Sequence, residues 1–326
     1  MRTGPAHPTF SVLIAAYESS GFIGDAVQSA LDQEPPPLEV IVGDDGSTDD
    51  LAGSLAPFGT AVRVVRIEHA GEAAAKNAAA AAATGDFLAF LDADDRFLPG
   101  RLAAIGQLAA EQPDLDVITT DAYLVHDGRV LDRCYGPGHA FARADQRSAI
   151  LRTNFVIGLS AVRRSRFVEV GGFDTSILYT TDWELWIRLI FSGSRVGIVP
   201  EPLAEYRLHE ASMSARRAAM SRGRLDTLAR AAARSDLSDG ERAILEKTRR
   251  REQARLTREM LKEELSSGTR SRARRRALRL LVSADQPFAT RLKALASLLA
   301  PGMVSRQLQA EDARSFVTVG DRRLQR

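Results

Sequence analysis

The stretch Gly85–Asp95, GDFLAFLDADD, constrains the chain more than any other, because five apolar residues, Phe87–Leu91, run straight into Asp92, Asp94 and Asp95. An apolar run of this length, bounded by turn signals, fits an interior strand of a parallel sheet, and ligands of open α/β sheets sit beyond the carboxyl ends of such strands. The acids therefore stand at the ligand end. Three carboxylates within four positions repel one another unless a cation compensates. Mg²⁺ or Mn²⁺ takes hard oxygen ligands while keeping sites for phosphate oxygens. Taken alone, the same acids also fit a turn that caps the helix after Pro99.

Three earlier segments repeat the pattern. Strand-like Phe10–Ala16 delivers Tyr17 and Glu18 to its carboxyl end, where the tyrosine ring can stack on a planar base or serve as an edge of the core. A second strand, Leu38–Gly43, ends in DDGSTDD, Asp44–Asp50. Ser47, Thr48 and Asp49 are natural N-caps for the helix that follows, whereas Asp44 and Asp45 stand where a carboxylate can accept from a nucleobase N–H or a ribose hydroxyl. A third strand, Val62–Ile67, precedes an Ala-rich helix that Gly85 is expected to close at its C′ position. In that helix Lys76 and Asn77 either reach a ribose or pyrophosphate or lie on a solvated face. Strands near residues 10, 38, 62 and 86 with helices between them form a βαβ rhythm. Neither G-x-G-x-x-G nor G-x-x-x-x-G-K-[ST] occurs, so acids plus a metal are the available means of holding phosphate.

Beyond the helix pattern Arg101–Ala110, strand-like Asp116–Thr120 and Ala122–Val125, a Gly/Pro-rich loop at Tyr135–His139 and a strand near Phe155–Val162 are expected to shape an acceptor pocket. Gly171–Gly172–Phe173–Asp174 marks a tight turn. Asp182 opens the helix WELWIRLIFSG, where an N-cap aspartate is the plain reading. Trp183 and Trp186 read as packing residues, with sugar stacking open to either. Strand Val196–Val199 and the segment Pro202–His209 close this half, and His209 is either a metal or phosphate contact or an ordinary histidine.

The ordered set DDGSTDD, A-K-N before the Ala-rich helix, G-D-F-L-A-F-L-D-A-D-D, G-G-F-D, T-D-W-E-L-W and Y-R-L-H resembles family 2 glycosyltransferases of the GT-A fold over about residues 9–210. The resemblance implies an α/β, Rossmann-like, mixed but mostly parallel sheet flanked by helices. It also implies a nucleotide-diphospho-sugar donor, Mg²⁺ or Mn²⁺, and an inverting single displacement onto a saccharide or lipid-linked acceptor. Residue by residue, Asp45 would grip the base, with Ala15, Tyr17 and Glu18 around the same pocket and Lys76 near the nucleotide. Asp92 would face the ribose with Ala93 beside it, Asp94 would bind the metal, and His209 would lie near metal and diphosphate. Asp182 would be the general base. Thr181 departs from the acidic residue common before that base, and Ala15 from a polar contact common at its position.

The charge divides sharply. Residues 1–215 hold 17 Lys+Arg against 29 Asp+Glu, net −12, and residues 216–326 hold 27 against 13, net +14. The expected domains are thus a catalytic one at 1–215 and a basic helical extension at 216–326, broken at Gly240, Gly268, Pro287 and Pro301–Gly302. Ser271–Val282 and Ala289–Leu299 have the pattern of basic amphipathic helices, which fit an anionic membrane surface, packing on the catalytic domain, or an oligomer interface. The opening residues lack an apolar signal core and no run reaches spanning length, so the expected location is cytoplasmic, with a peripheral place at the inner face of the membrane through the tail. The lone Cys134 excludes an internal disulfide and reads as a core or loop residue. Two other classes remain: a sugar-nucleotide nucleotidyltransferase, disfavoured because AAYESSGF lacks a glycine-rich basic loop, and an idle binding protein holding nucleic acid with its tail, disfavoured by intact Asp94 and Asp182.

Overall fold

The computed structural model describes residues 7–136, 139–209, 217–266 and 270–282, with Leu295 and Leu298. The chain divides into two compact units, Met1–Leu208 and His209–Arg326.

In the first unit β1 (Phe10–Ala16), α1 (Ile23–Leu31), β2 (Glu39–Asp44), α2 (Leu51–Leu55), β3 (Val62–Arg66), α3 (Glu72–Ala82) and β4 (Phe87–Asp92) alternate as the βαβ rhythm predicts. There follow β5 (Arg96–Phe97), α4 (Arg101–Glu111), β6 (Leu115–His126), β7 (Arg129–Arg133), α5 (Gln146–Arg152), β8 (Ala161–Arg163), α6 (Arg164–Glu169), α7 (Thr181–Phe191) and β9 (Arg195–Arg207). The strand order is β3-β2-β1-β4-β8-β6-β9-β5, with β7 on β6. β1 runs parallel to both β2 and β4, so successive connections leave in opposite directions from this point and open a crevice at the strands' carboxyl ends. The sheet is mixed, since β8 is antiparallel to β4 and β6.

Phe87–Leu91 are each at most 1% exposed, and burying side chains of their size contributes about 1.5–3 kcal/mol each. That burial fixes the register in which Ala15 pairs with Asp92 on one side and Gly43 on the other, bringing the ends of three strands level. The alanines of α3 let its backbone lie close on the sheet. A Cβ on Gly43 would stand 2.3 Å from the Ala75 carbonyl oxygen.

Several expectations need correction. Gly85 is not a left-handed cap: α3 ends at Ala83 in an extended conformation, and Gly85 is needed because a Cβ there would lie 2.7 Å from Ser11 N. Asp50, not Ser47, Thr48 or Asp49, caps α2 through Gly53 N–H. The two segments 116–120 and 122–125 are one strand, β6, with a register shift after Thr120. The strand expected at 155–162 is only β8, the residues before it forming a loop. Pro200 and Pro202 hide a continuous β9, whose irregular pairing with β6 accommodates them.

The second unit contains α8 (Arg217–Ala232), α9 (Asp239–Ser266) and α10 (Arg270–Val282). Ser238 and Glu241 exchange side-chain to backbone hydrogen bonds of 2.8 and 3.2 Å, a capping box that starts α9 and leaves Gly240 inside its first turn. In α10, Ala273 and Ala277 are buried with Leu261 and Leu265 of α9, and Arg276 forms a two-bond pair with Glu264. Part of the apolar side expected to face a bilayer is therefore spent on α9, while Arg274, Arg275, Leu278 and Arg279 face outward. The boundary at Ala215, the breaks at Gly268, Pro287 and Pro301–Gly302, and Ala289–Leu299 apart from Leu295 and Leu298 lie outside the described residues.

Candidate active site

The loops after β1, β2 and β3 meet at one end of the crevice. Asp45 is 2% exposed and accepts from Ala70 N (2.8 Å) and from Gly71 N at both oxygens (3.1 and 2.9 Å). His69 Nδ1 lies 2.9 Å from the same carboxylate, and the His69 ring stacks on Tyr17 at 4.2 Å and 24°. A flat aromatic pair over a buried carboxylate is suited to a planar base with N–H donors. His69 carries no motif in the sequence and is recognisable only by this stacking on Tyr17. Glu18, held at φ 48°, accepts from Thr48 N (2.7 Å) and Thr48 Oγ1 (2.9 Å), while Ser20 N donates to Asp49 (2.7 Å). The residues expected to cap a helix instead stitch the β1 and β2 loops together. Asp44 is committed to Arg66 at 2.6 Å and Ser47 N at 2.8 Å.

At the end of β4, Lys76 is 3% exposed, which excludes a solvated helix face. Its ammonium donates to Asp92 Oδ1 at 2.8 Å and to Glu72 and sits 5.7 Å from the Phe173 ring centroid. Burial alone would push the lysine down, but Asp92 and Glu72 outweigh it and hold it above its ordinary value. Asn77 does not reach toward a ligand. Its amide donates to Phe173 O and accepts from Phe173 N, both at 2.8 Å, pinning the Gly171–Asp174 turn, where Gly172 at φ 71° leaves no room for a Cβ beside Asn77 Oδ1. Ala15 is half-buried between Gly43 and Asp92, and Ala93 is buried.

The Asp92–Asp95 turn is gripped from β9. Arg207 donates through its guanidinium to the carbonyls of Asp94 and Asp95 and through its backbone N–H to Asp95 Oδ1 (2.8 Å). Burial, followed by Asp92 and Asp94, pushes the Asp95 carboxyl well above its usual range, and Asp95 Oδ2 is buried without a hydrogen bond. Crowded, hard oxygen donors of this kind fit a divalent cation. Among the described residues no three His, Cys, Asp or Glu side chains converge as a metal cage. A cation on Asp94 would therefore draw most of its ligands from donor phosphates and water, the usual arrangement for Mg²⁺. His209 is half-buried and begins the second unit directly after Leu208, whose N–H donates to Val125 O at 2.7 Å.

Asp182 lies in the first turn of α7 and is not its cap; Thr180, at φ 60°, holds that position, its hydroxyl donating to Tyr179 O instead of accepting from the helix. Asn154 Nδ2 donates to Asp182 Oδ2 at 2.8 Å. Burial raises the Asp182 carboxyl above its ordinary value, opposed by the Trp183 N–H, Lys76 and Asn154 and reinforced by Asp92. Burial likewise raises Glu72, with Lys76 opposing and Asp92 and Asp182 adding to it. Lys76, Glu72, Asp92 and Asp182 thus form one electrostatic cluster, at whose edge stands a half-buried carboxylate whose proton affinity is raised above that of an ordinary aspartate. Trp183 and Trp186 are both buried as packing residues, and Trp183 Nε1 donates to Ile150 O at 2.8 Å.

Residues 11–167 match the family model Glycosyl transferase family 2. The putative teichuronic acid biosynthesis glycosyltransferase TuaG of Bacillus subtilis is 31% identical over 64% of this chain and 82% of its own length. The succinoglycan biosynthesis protein ExoO of Rhizobium meliloti is 28% identical over 64% of this chain and 63% of its own. Among solved structures, the mannosyltransferase PcManGT of Pyrobaculum calidifontis, in complex with GDP-Man and Mn²⁺, shares the fold with a TM-score of 0.60 at 20% identity, over 95% of this chain and 85% of that one. S. aureus TarS 1-349 in complex with UDP-GlcNAc gives 0.61 at 17% identity, over 94% and 92%. With this crevice, this sheet order and these relatives, the chain belongs to glycosyl transferase family 2.

Proposed function

We propose that this glycosyltransferase moves a sugar, with inversion, from a nucleotide-diphospho-sugar to an acceptor hydroxyl in the synthesis of a cell-surface polysaccharide or glycolipid. The observation that carries the reading is the buried Lys76–Asp92 pair at the crevice, whose charges act on Asp182. Tyr17 and Asp45 receive the base, with Ala15 and Glu18 forming the wall beside them. Asp92 and Ala93 face the ribose, and Lys76 holds Asp92 in place. Asp182 takes the acceptor hydroxyl's proton as that oxygen bonds to the anomeric carbon. The anomeric C–O bond breaks and its electron pair leaves with the diphosphate. General-base assistance of this type is worth about 10²–10⁴-fold. A Mg²⁺ or Mn²⁺ ion held by Asp94 would neutralise the leaving group's charge.

Thermal shift with UDP- and GDP-sugars, with and without MnCl₂, tests the donor site, since a ligand at about 100-fold over its Kd adds about 2.7 kcal/mol. Asp94→Asn should lose the metal-dependent part of that shift. Equal stabilisation with and without metal in the wild type refutes the metal role.

The outward Arg274, Arg275 and Arg279 of α10 support peripheral attachment to an anionic membrane, at about 1 kcal/mol per basic residue that reaches the surface. Among the described residues no helix is long and apolar enough to cross a membrane. Flotation of the full chain with anionic and neutral liposomes decides the attachment. Absence of salt-sensitive binding to the anionic ones rejects it.

A further inference from the structure

Loop 153–160 lies against the start of α7 beside Asp182. Trp183 Nε1 donates to Ile150 O at 2.8 Å just before the loop, and a Cβ on Gly158 would stand 3.8 Å from Asp182 Oδ2. Between these points Asn154 Nδ2 donates to Asp182 Oδ2 at 2.8 Å, and Val156 N–H donates to Asn154 Oδ1 at 3.3 Å. A carboxylate only accepts and a backbone N–H only donates, so one orientation of the amide satisfies both partners. The asparagine is locked, and with it the rotation of the carboxylate.

We propose that Asn154 is a positioning residue for the transfer step, turning the Asp182 carboxylate so that its remaining lone pairs face the acceptor hydroxyl. The inference rests on the reading of Asp182 as the base. Charged groups act on Asp182 from α3, where Lys76 and Glu72 stand, and from β4, which ends in Asp92. Asn154 is the contribution of the loop, and it favours the ionised, proton-accepting form. As the acceptor O–H bond breaks, the proton passes to Asp182 and the hydrogen bond from Asn154 keeps the resulting acid in place. Sequence pattern offered no sign of this pair, because Asn154 and Asp182 are 28 residues apart.

Two readouts on the full chain test the inference. The first is the ¹³C carboxyl titration of Asp182 in aspartate-labelled protein, its resonance identified by its loss in Asp182→Asn. Asn154→Ala should move the midpoint up by about one pH unit, the share expected of one hydrogen bond to a charged acceptor. Asn154→Asp, which keeps the volume but replaces the donor with a second carboxylate, should move it further. The second readout is nucleotide release from UDP-GlcNAc and GDP-mannose with MgCl₂. The acid limb of kcat should shift in parallel, costing about tenfold in rate per pH unit below both midpoints, while KM for the donor stays unchanged. An unmoved midpoint and acid limb in both variants, with Asp182→Asn inactive, would make Asn154 a packing residue and overturn the inference. Wild-type turnover by Asp182→Asn would instead refute Asp182 as the base and take the inference with it.

Discussion

Replacing Lys76 with methionine keeps most of the side-chain length and removes the charge from the centre of the site. The lysine side chain is 4% exposed, and its partners Glu72 and Asp92 are 25% and 30% exposed. At an effective dielectric of about 20, opposite charges about 3 Å apart attract by about 5 kcal/mol before desolvation is subtracted. Truncating one member of a buried pair costs about 3–5 kcal/mol, and the partial exposure of both carboxylates lets water screen some of that. We expect a loss of about 2–3 kcal/mol. Urea unfolding followed by Trp183 and Trp186, both buried in α7, reports the first unit, and the midpoint should fall by about 1 M.

The deficit should also depend on pH. Lys76 holds Glu72 and Asp182 below the values that burial would otherwise give them, so the variant raises both further above their unfolded values. A carboxylate raised in the folded state binds more protons folded than unfolded, and stability then falls as pH rises through that window. The gap between variant and wild type should therefore be widest above the raised values of Glu72 and Asp182 and narrow as pH falls through them. An unchanged urea midpoint, or a gap that stays constant from neutral to acid pH, would refute the electrostatic role of Lys76.

Gly43→Ala should destabilise the first unit by about 1–3 kcal/mol in the same assay, because the new methyl would stand 2.3 Å from the Ala75 carbonyl oxygen on a helix that must shift to admit it. Arg207→Lys should keep the fold but lose the forked grip on the Asp94 and Asp95 carbonyls, weakening donor-induced thermal stabilisation by about 1–2 kcal/mol. Wild-type activity should fall as pH drops through the raised Asp182 value, above the range of an ordinary aspartate, and a pH–rate profile flat down to about pH 4 would contradict it.

Local pattern was enough for the elements whose burial is complete. Phe87–Leu91 and the Ala-rich helix declare themselves because all five of those strand residues are buried and α3 needs small side chains against Gly43. Pattern failed where a polar residue's partner lies far along the chain. Thr48 bonds Glu18 rather than a helix end, Asn77 holds Phe173 at a separation of 96 residues, and Arg207 grips a turn 112 residues away. Propensity scores a serine, threonine or aspartate before a helix as a cap, whichever partner the fold later supplies. His69 was lost for a different reason: as a single histidine after an edge strand it carries no pattern until Tyr17 stacks on it.

Base-assisted single displacement at Asp182 requires that the sugar leave its donor with the opposite anomeric configuration, even when water is the acceptor. Incubation with MgCl₂ and whichever of UDP-GlcNAc and GDP-mannose stabilises the protein, followed by ¹H NMR of the anomeric region, reads the first-formed anomer before it equilibrates. The α-linked donor should give the β-sugar first, at a rate that Asp182→Asn lowers by about 10²-fold or more. First appearance of the α-sugar, or an undiminished rate in that variant, would contradict Asp182 as the base of an inverting transfer.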